Sequence, residues 1–213
     1  MSHSYFTRNI DIEALNITLK LQQQTEGDVG CVVWDASIVL SKYLEELFKK
    51  DNEYFNNTLA IELGAGVGCV GLTAACLGAN VLLTDLPPII PLLETNLLLN
   101  NQLFKREDTR VKVASLPWGS TNITHKPDVI LLADCIYYRD SIDPLIETLR
   151  SLSGPQTTII LSQEIRESEK QKACWKYFLE NVQKHFKSYV VPLEEQNDEF
   201  RSPDIVVIKF TSL

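Results

Sequence analysis

Residues 61–72 read IELGAGVGCVGL. The β-rich run TLAIEL (58–63) leads into this stretch and the small apolar run CVGLTAACLG (69–78) leads out, so it joins a strand to a helix. Glycines stand at 64, 66 and 68. At such a turn glycine admits positive φ, and without a Cβ it lets a ligand approach the backbone. In an open parallel sheet this first crossover lies at the topological switch point, where ligands bind. The spacing is GxGxG, and position 69 is Cys where the dinucleotide fingerprint requires a third glycine; Gly71 comes two residues later. Asp85 ends the next strand, 19 residues after Gly66, where an acid can accept hydrogen bonds from ribose hydroxyls. A ribose is implied, and a pyrophosphate is not.

Outward from this loop, short β-rich runs alternate with helical ones. The strand-like runs are TLAIEL, NVLLTD (80–85), RVKVAS (110–115), DVILLA (128–133), TTIILS (157–162), SYVVPL (188–193) and DIVVIKF (204–210). Helical stretches at 69–78, 88–103, 141–152 and 168–187 separate them. In the last of these, Ala173, Trp175, Phe178, Leu179, Val182 and Phe186 form an amphipathic stripe that reads as core packing. Strand–helix alternation requires crossovers, hence a mainly parallel sheet with helices on both faces. The polar loop LEEQNDEFRSP between the last two strands predicts an antiparallel pair at one edge. Ahead of this core, ALNITLKLQ reads as a strand, and WDASIVLSKYLEELFKK as a helix with Asp35 as N-cap and Lys49-Lys50 near its C-terminus. The expected fold is α/β: a Rossmann-like seven-stranded sheet, mostly parallel, flanked by helices. A single domain over 1–213 is expected, with a strand–helix extension (1–50) packed on a core (51–213).

Composition narrows the function classes. The formal net charge is −8, and the densest basic clusters, Lys49-Lys50 and Lys105-Arg106, are interrupted by acids within two residues. No nucleic-acid footprint is read from that pattern. It is compatible with a basic protein partner. No apolar run approaches the ~20 residues of a membrane span. The N-terminus lacks an apolar signal core and carries Asp11 and Glu13 early. The five cysteines, at 31, 69, 76, 135 and 174, contain no CxxC pair, and the count is odd, which fits reduced thiols. These features lead us to expect a cytoplasmic or nuclear monomer. His3, His125 and His185 are far apart and read as ordinary residues, so no metal site is assigned. Without secretion, the sequons at 16, 56 and 122 carry no weight.

The run at 128–133 continues into Asp134-Cys135-Ile136-Tyr137-Tyr138. Together, E-x-G-x-G-x-G, the acid at 85 and Asp134-x-x-Tyr137 resemble the seven-strand S-adenosyl-L-methionine-dependent methyltransferases, within them the D-x-x-Y branch of protein-lysine methyltransferases. Four segments carry the likeness: GCVVWDASIVLSKYLE (30–45), TDL (84–86), ADCIYY (133–138) and EFRSPDI (199–205). They are most similar to branch members acting on a lysine of the AAA ATPase valosin-containing protein. Such an ATPase is therefore the implied partner, with neither nucleic acid nor membrane involved. One departure is Val67, where the family usually has Thr.

The resemblance implies S-adenosyl-L-methionine as cofactor. Gly64, Ala65 and Gly66 would line its methionine and ribose, with the acid Glu62 just ahead of them. Asp85 would take the ribose hydroxyls and Leu86 would lie near the adenine. Trp118 would flank the adenine, Ala133 would contribute from its strand end, and Trp34 would close over the cofactor. For Trp34 and Trp118 the plain alternative is core packing. Asp134 and Tyr137 are implied to be catalytic. A lysine attacks as the neutral amine, yet at an unperturbed pKa only about one in a few thousand is neutral at pH 7. Asp134 would attract the ammonium and hold an N–H direction, although an opposite charge does not itself lower the lysine pKa. Tyr137 would accept a hydrogen bond and present a π face to the cation. Tyr138 remains open. For Asp134 the structural alternatives are a cap for the helix at 141 or an ion pair with Arg139.

Two other functions stay in view. A nicotinamide-dependent Rossmann oxidoreductase would share the ribose acid, but the third fingerprint glycine is missing and no Tyr-x-x-x-Lys pair follows: Ser141 and Ile142 stand four residues after the tyrosines. A non-catalytic cofactor-binding module would keep the loop and need neither Asp134 nor Tyr137.

Overall fold

The computed structural model describes residues 4–104, 109–120 and 126–213. His3, His125, the Lys105-Arg106 cluster and the sequon at 122–124 lie outside the described residues. Among the described residues, no helix is long and apolar enough to cross a membrane.

The chain opens with a hairpin, β1 (Tyr5–Ile12) and β2 (Ile17–Gln24), paired antiparallel with Ile12 opposite Ile17. Helix α1 follows (Asp35–Lys50). Its N-cap is Trp34, with no side-chain cap, so Asp35 occupies the first turn instead of the cap position read from the sequence. Its carboxylate is still favourable there beside the positive end of the helix dipole. The core then alternates as predicted: β3 (Leu59–Leu63), α2 (Cys69–Cys76), β4 (Asn80–Asp85), α3 (Ile90–Asn100), β5 (Val111–Ser115), β6 (Val129–Ala133), α4 (Arg139–Leu152), β7 (Thr158–Glu164), α5 (Glu169–Val182), β8 (Phe186–Val190) and β9 (Ile205–Ser212).

The seven core strands order as β5-β4-β3-β6-β7-β9-β8. β5, β4, β3, β6 and β7 are mutually parallel. β9 runs antiparallel to both β7 and β8, which makes the antiparallel edge pair expected from the polar connection. From β3 the chain first builds outward through β4 and β5, then returns to lay β6 against the other side of β3. The switch point therefore falls between β3 and β6.

Each central strand is buried on both faces, and its residues divide between two cores by the period-two rule. Ile61, Leu63, Ile130, Leu132, Ile159 and Leu161 face α4 and α5. Ala60, Val129, Leu131 and Ile160 face α1, α2 and α3. In α5 the buried stripe is Cys174, Phe178 and Val182, spaced four residues apart, while Ala173, expected on that stripe, is exposed beside it. Trp175 stacks on Phe178 with ring centroids 5.8 Å apart, the packing role expected of both. All five cysteines are buried thiols outside any disulfide.

The hairpin is fastened to the core by polar contacts as well as packing. The outer backbone edge of β2 meets two asparagines one turn apart on α3. Asn100 accepts from the Lys20 N–H (2.9 Å) and donates back to the Lys20 carbonyl (2.9 Å). Asn96 does the same with Gln22 (2.7 and 3.0 Å). These amides satisfy a strand edge that would otherwise present bare N–H and C=O groups. At the hairpin turn, Lys42 of α1 is 3% exposed and donates to the Asp11 carbonyl (2.7 Å) while pairing with Glu13 and Glu45.

Candidate cofactor and substrate site

Beyond Leu63 the chain turns through Gly64 (φ 66) and Gly66 (φ 55) before entering α2. Both lie in the left-handed region that disfavours side chains. A Cβ at Gly66 would stand 3.0 Å from the Gly30 carbonyl oxygen, and one at Gly64 would stand 3.0 Å from Cys135 Sγ and 3.2 Å from the Trp118 ring. The loop is held from below. The Gly66 N–H donates to Asp85 Oδ2 (2.7 Å), and the Leu86 N–H to Asp85 Oδ1 (2.7 Å). Asn96 Nδ2 donates to the Val67 carbonyl (3.0 Å), so the loop keeps this support with Val at position 67.

Above the loop opens a cavity of about 570 Å³. Gly64, Ala65, Gly66, Asp85 and Leu86 line one side of it. Trp118, Ala133, Asp134, Tyr137 and Tyr138 line another, and Trp34 forms part of its rim. Trp34 is fixed by an indole N–H donated to the Val29 carbonyl (2.8 Å). The volume lies in the range of small-molecule and cofactor sites. The glycine wall leaves room for a ligand against the backbone, and each Asp85 oxygen keeps acceptor capacity beyond the one backbone N–H it holds. The residues present thus fit a ribose-bearing cofactor. Burial raises the Asp85 pKa, opposed by the Gly66 and Leu86 N–H groups. Among the described residues, no group of His, Cys, Asp and Glu is placed to hold a metal ion.

Glu62 is the one sequence-predicted binding residue that does not reach the cavity. It is 2% exposed and accepts the Gly71 N–H through Oε2 (2.8 Å), beneath the first turn of α2. The reason is strand geometry: side chains within a strand stand perpendicular to the sheet, and only residues at or past its end face the rim. Burial pushes the Glu62 carboxyl up to about 8, with the charge of Asp85 adding to the effect and the Gly71 N–H opposing it.

Asp134 follows the last residue of β6 and adopts φ 55, an uncommon conformation for a non-glycine residue. Its backbone N–H donates to the Ser162 carbonyl (2.8 Å), which extends the β6–β7 ladder by one bond. The carboxylate neither caps α4 nor pairs with Arg139. α4 has Tyr138 as N-cap, while Arg139 pairs with Asp143 (3.4 Å) and lies over the Tyr177 ring. Asp134 Oδ1 instead accepts from Gln163 Nε2 (2.7 Å) and from Arg166 (2.9 Å), and its Oδ2 takes a second Arg166 bond. Tyr137 lines the cavity, with burial raising its phenol pKa, so the hydroxyl keeps its proton across the physiological range. Tyr138 is 55% exposed at the mouth, with its ring centroid 4.6 Å from that of Tyr137.

Sequence reasoning did not single out Arg166 or Gln163. Both lie at the C-terminal end of β7, on the same rim as Asp134, so strand-end position was the signal that could have found them. The turn at 28–31 supplies Asp28, Val29 and Gly30 to the cavity, and of these three only Gly30 fell within a segment of family likeness.

A family model described as lysine methyltransferase matches residues 14–185. Protein N-lysine methyltransferase METTL21A of Danio rerio is 36% identical, over 80% of this chain and 74% of its own length. EEF1A lysine methyltransferase 3 of Xenopus tropicalis is 34% identical, over 81% of this chain and 74% of its own. Among solved structures, the 16S rRNA methyltransferase RsmC of T. thermophilus superposes with a TM-score of 0.67 at 16% identity, over all of this chain and 51% of that one. The glycopeptide N-methyltransferase MtfA does so at 0.60 and 11%, over 81% and 90%. The structural likenesses speak to the fold. The sequence relatives and the family match speak to the chain itself, which belongs to the lysine methyltransferase family.

Proposed function

We propose that this enzyme methylates the ε-amine of a lysine on a protein substrate, with S-adenosyl-L-methionine as cofactor, and that the substrate is the AAA ATPase valosin-containing protein. Held by the glycine loop and Asp85, the cofactor would supply a sulfonium methyl for transfer to the neutral amine, leaving as the thioether, and the amine proton would go to solvent. The observation that carries the reading is that Asp134 and Tyr137 open onto the same cavity as the glycine loop and Asp85.

Gly64, Ala65, Gly66 and Asp85 would hold the methionine and ribose portions, with Leu86 and Trp118 about the adenine. Asp134 orients an amine N–H, and its own orientation is fixed by three hydrogen bonds. Tyr137 offers a hydroxyl acceptor and a π face at the same mouth. Because the displacement asks little covalent work of the protein, this positioning is its main contribution. Likeness at 30–45, 84–86, 133–138 and 199–205 supports the ATPase as substrate. A monomer in the cytoplasm or nucleus, working without nucleic acid or membrane, is part of the same proposal and accords with a net charge of −8. A nicotinamide oxidoreductase gains no support, since Cys69 stands in place of the fingerprint glycine.

One observation favours a second substrate. EEF1A lysine methyltransferase 3 is nearly as similar to this chain as METTL21A is. Purified valosin-containing protein and elongation factor 1A, each made without prior methylation, should be incubated with the enzyme and labelled cofactor, then mapped by tandem mass spectrometry. Label on a lysine of the ATPase is expected. Label on elongation factor 1A alone moves the assignment, and label confined to nucleic acid or small molecules removes the lysine reading altogether.

A further inference from the structure

Arg166, two residues past β7, is bound to the proposed catalytic carboxylate before any substrate arrives. It grips both oxygens of Asp134, whose side chain is only 4% exposed, and reaches Glu164 at 2.9 Å. Its guanidinium carbon lies 5.5 Å from the Trp34 ring centroid. Arg166, Asp134 and Trp34 all line the cavity. A fork-to-fork arginine–carboxylate pair fixes direction as well as charge.

Methyl transfer to lysine sets Asp134 two conflicting tasks. It must lie close enough to orient the amine, yet a lone carboxylate beside an amine favours the ammonium, which has no lone pair to attack with. The other charged groups around this corner decide the balance. Glu164 shares Arg166 with Asp134, and Asp85 and Asp28 add negative charge from β4 and from the turn before α1. Lys170 of α5 lies 5.9 Å over the outer tyrosine, Tyr138. Burial keeps Cys135 and Tyr137 protonated. Arg166 is thus the one cation among the described residues that bonds Asp134 directly.

Resting on the methyl-transfer reading, we propose that Arg166 is a positioning residue: it holds Asp134 in its left-handed conformation and cancels its charge, so the carboxylate can aim the lysine without locking it as ammonium. A guanidinium and an amine that share one carboxylate lie roughly 6 Å apart. At that distance, with the solvent screening of a side chain 25% exposed, a unit charge moves an amine pKa by about one unit.

The test compares the parent protein with Arg166→Gln and Arg166→Lys. The probe is lysate from cells depleted of methylation, and label in lysine is followed from pH 6.5 to 9.5 at saturating cofactor. In Arg166→Gln the alkaline rise of the rate should move up by about one pH unit, a roughly tenfold loss at pH 7.5 that is recovered toward pH 9.5. Arg166→Lys keeps the charge and should keep the parent's profile. One readout does not depend on turnover: calorimetry with S-adenosylhomocysteine should give the same affinity in all three proteins, which also checks folding. A parent that labels no lysine overturns the methyl-transfer reading and this inference with it. A parent that labels lysine beside an Arg166→Gln variant of unchanged pH dependence, or one more active than the parent as if a plug had been removed, overturns the role of Arg166 alone. So does a displaced profile in Arg166→Lys, which keeps the proposal testable if the glutamine variant does not fold.

Discussion

Replacing Glu62 with Gln should remove a pH dependence from the stability of the whole chain. Glu62 lies under α2 with one carboxyl oxygen on the Gly71 N–H, and burial lifts its pKa from 4.5 to about 8. A folded-state pKa above the unfolded one means that the folded protein holds the proton more tightly. The stabilisation is therefore complete below about pH 4.5 and is lost as pH rises through about 8. At 1.36 kcal/mol per pH unit across that window, the ceiling is about 5 kcal/mol. Relaxation of the surroundings should bring the observed loss to about 2–4 kcal/mol. Glutamine keeps the shape and an acceptor for Gly71 but cannot ionise, so titration elsewhere in the chain cancels in the comparison. Urea unfolding at pH 5, 6, 7, 8 and 9 gives the free-energy gap between the two proteins. The parent should lose ground to Glu62→Gln steadily from pH 5 to 8 and then level off. A gap that stays constant over this range would show that Glu62 ionises normally in the folded protein, and the account of a neutral buried carboxyl would be wrong.

Other outcomes follow from the same geometry. Asp134→Ala should lower lysine methylation by at least about a hundredfold while calorimetric affinity for S-adenosylhomocysteine stays within a few-fold of the parent; a parental rate would remove Asp134 from the chemistry. Gly66→Ala forces a side chain into φ 55 and places its Cβ 3.0 Å from the Gly30 carbonyl. Strain of about 1–3 kcal/mol in the loop should weaken cofactor binding by roughly 5- to 150-fold in the same calorimetric assay. Lys42→Met leaves Glu45, 1% exposed, without its cation, and should cost about 3–5 kcal/mol in urea unfolding. Adding Glu45→Leu should restore much of that stability, and a double variant no better than the single would count against the buried pair as the cause.

Several features were legible in the sequence because each rests on one strong local signal. β3, β4, β6 and β7 showed as apolar runs, as strands buried on both faces do. The glycine loop, Asp85, Asp134 and Tyr137 fell where a strand stops, and the structure gathers them around one cavity. What escaped was decided by tertiary contacts. β1 buries only Ile10 and Ile12, so YFTRNIDI carries too little periodicity to read as a strand without its partner. The penultimate strand was expected at 188–193 but lies at Phe186–Val190, because Pro192 leads into a 3-10 turn at Leu193–Glu195. Glu62 shares the acidic character of Asp85, but it stands one residue before its strand ends and so faces α2. The Asp134 partners came from the end of β7 and just past it rather than from Arg139, so the strand-end position marks the rim while the choice of partner is set by the β6–β7 pairing.

Asn96 bonds on one side to Gln22 in β2 and on the other to the Val67 carbonyl in the glycine loop. One side chain thus joins the N-terminal hairpin to the floor of the cavity. The extension is therefore no detachable appendage, and the expected boundary at residue 50 does not mark a place to cut. A fragment beginning there would bare the α3 amides and loosen the loop at once. Fusions, tags and shortened expression designs should leave residues 17–24 intact, and an insertion that shifts the register of β2 by one residue would reach the cofactor without touching any residue that binds it.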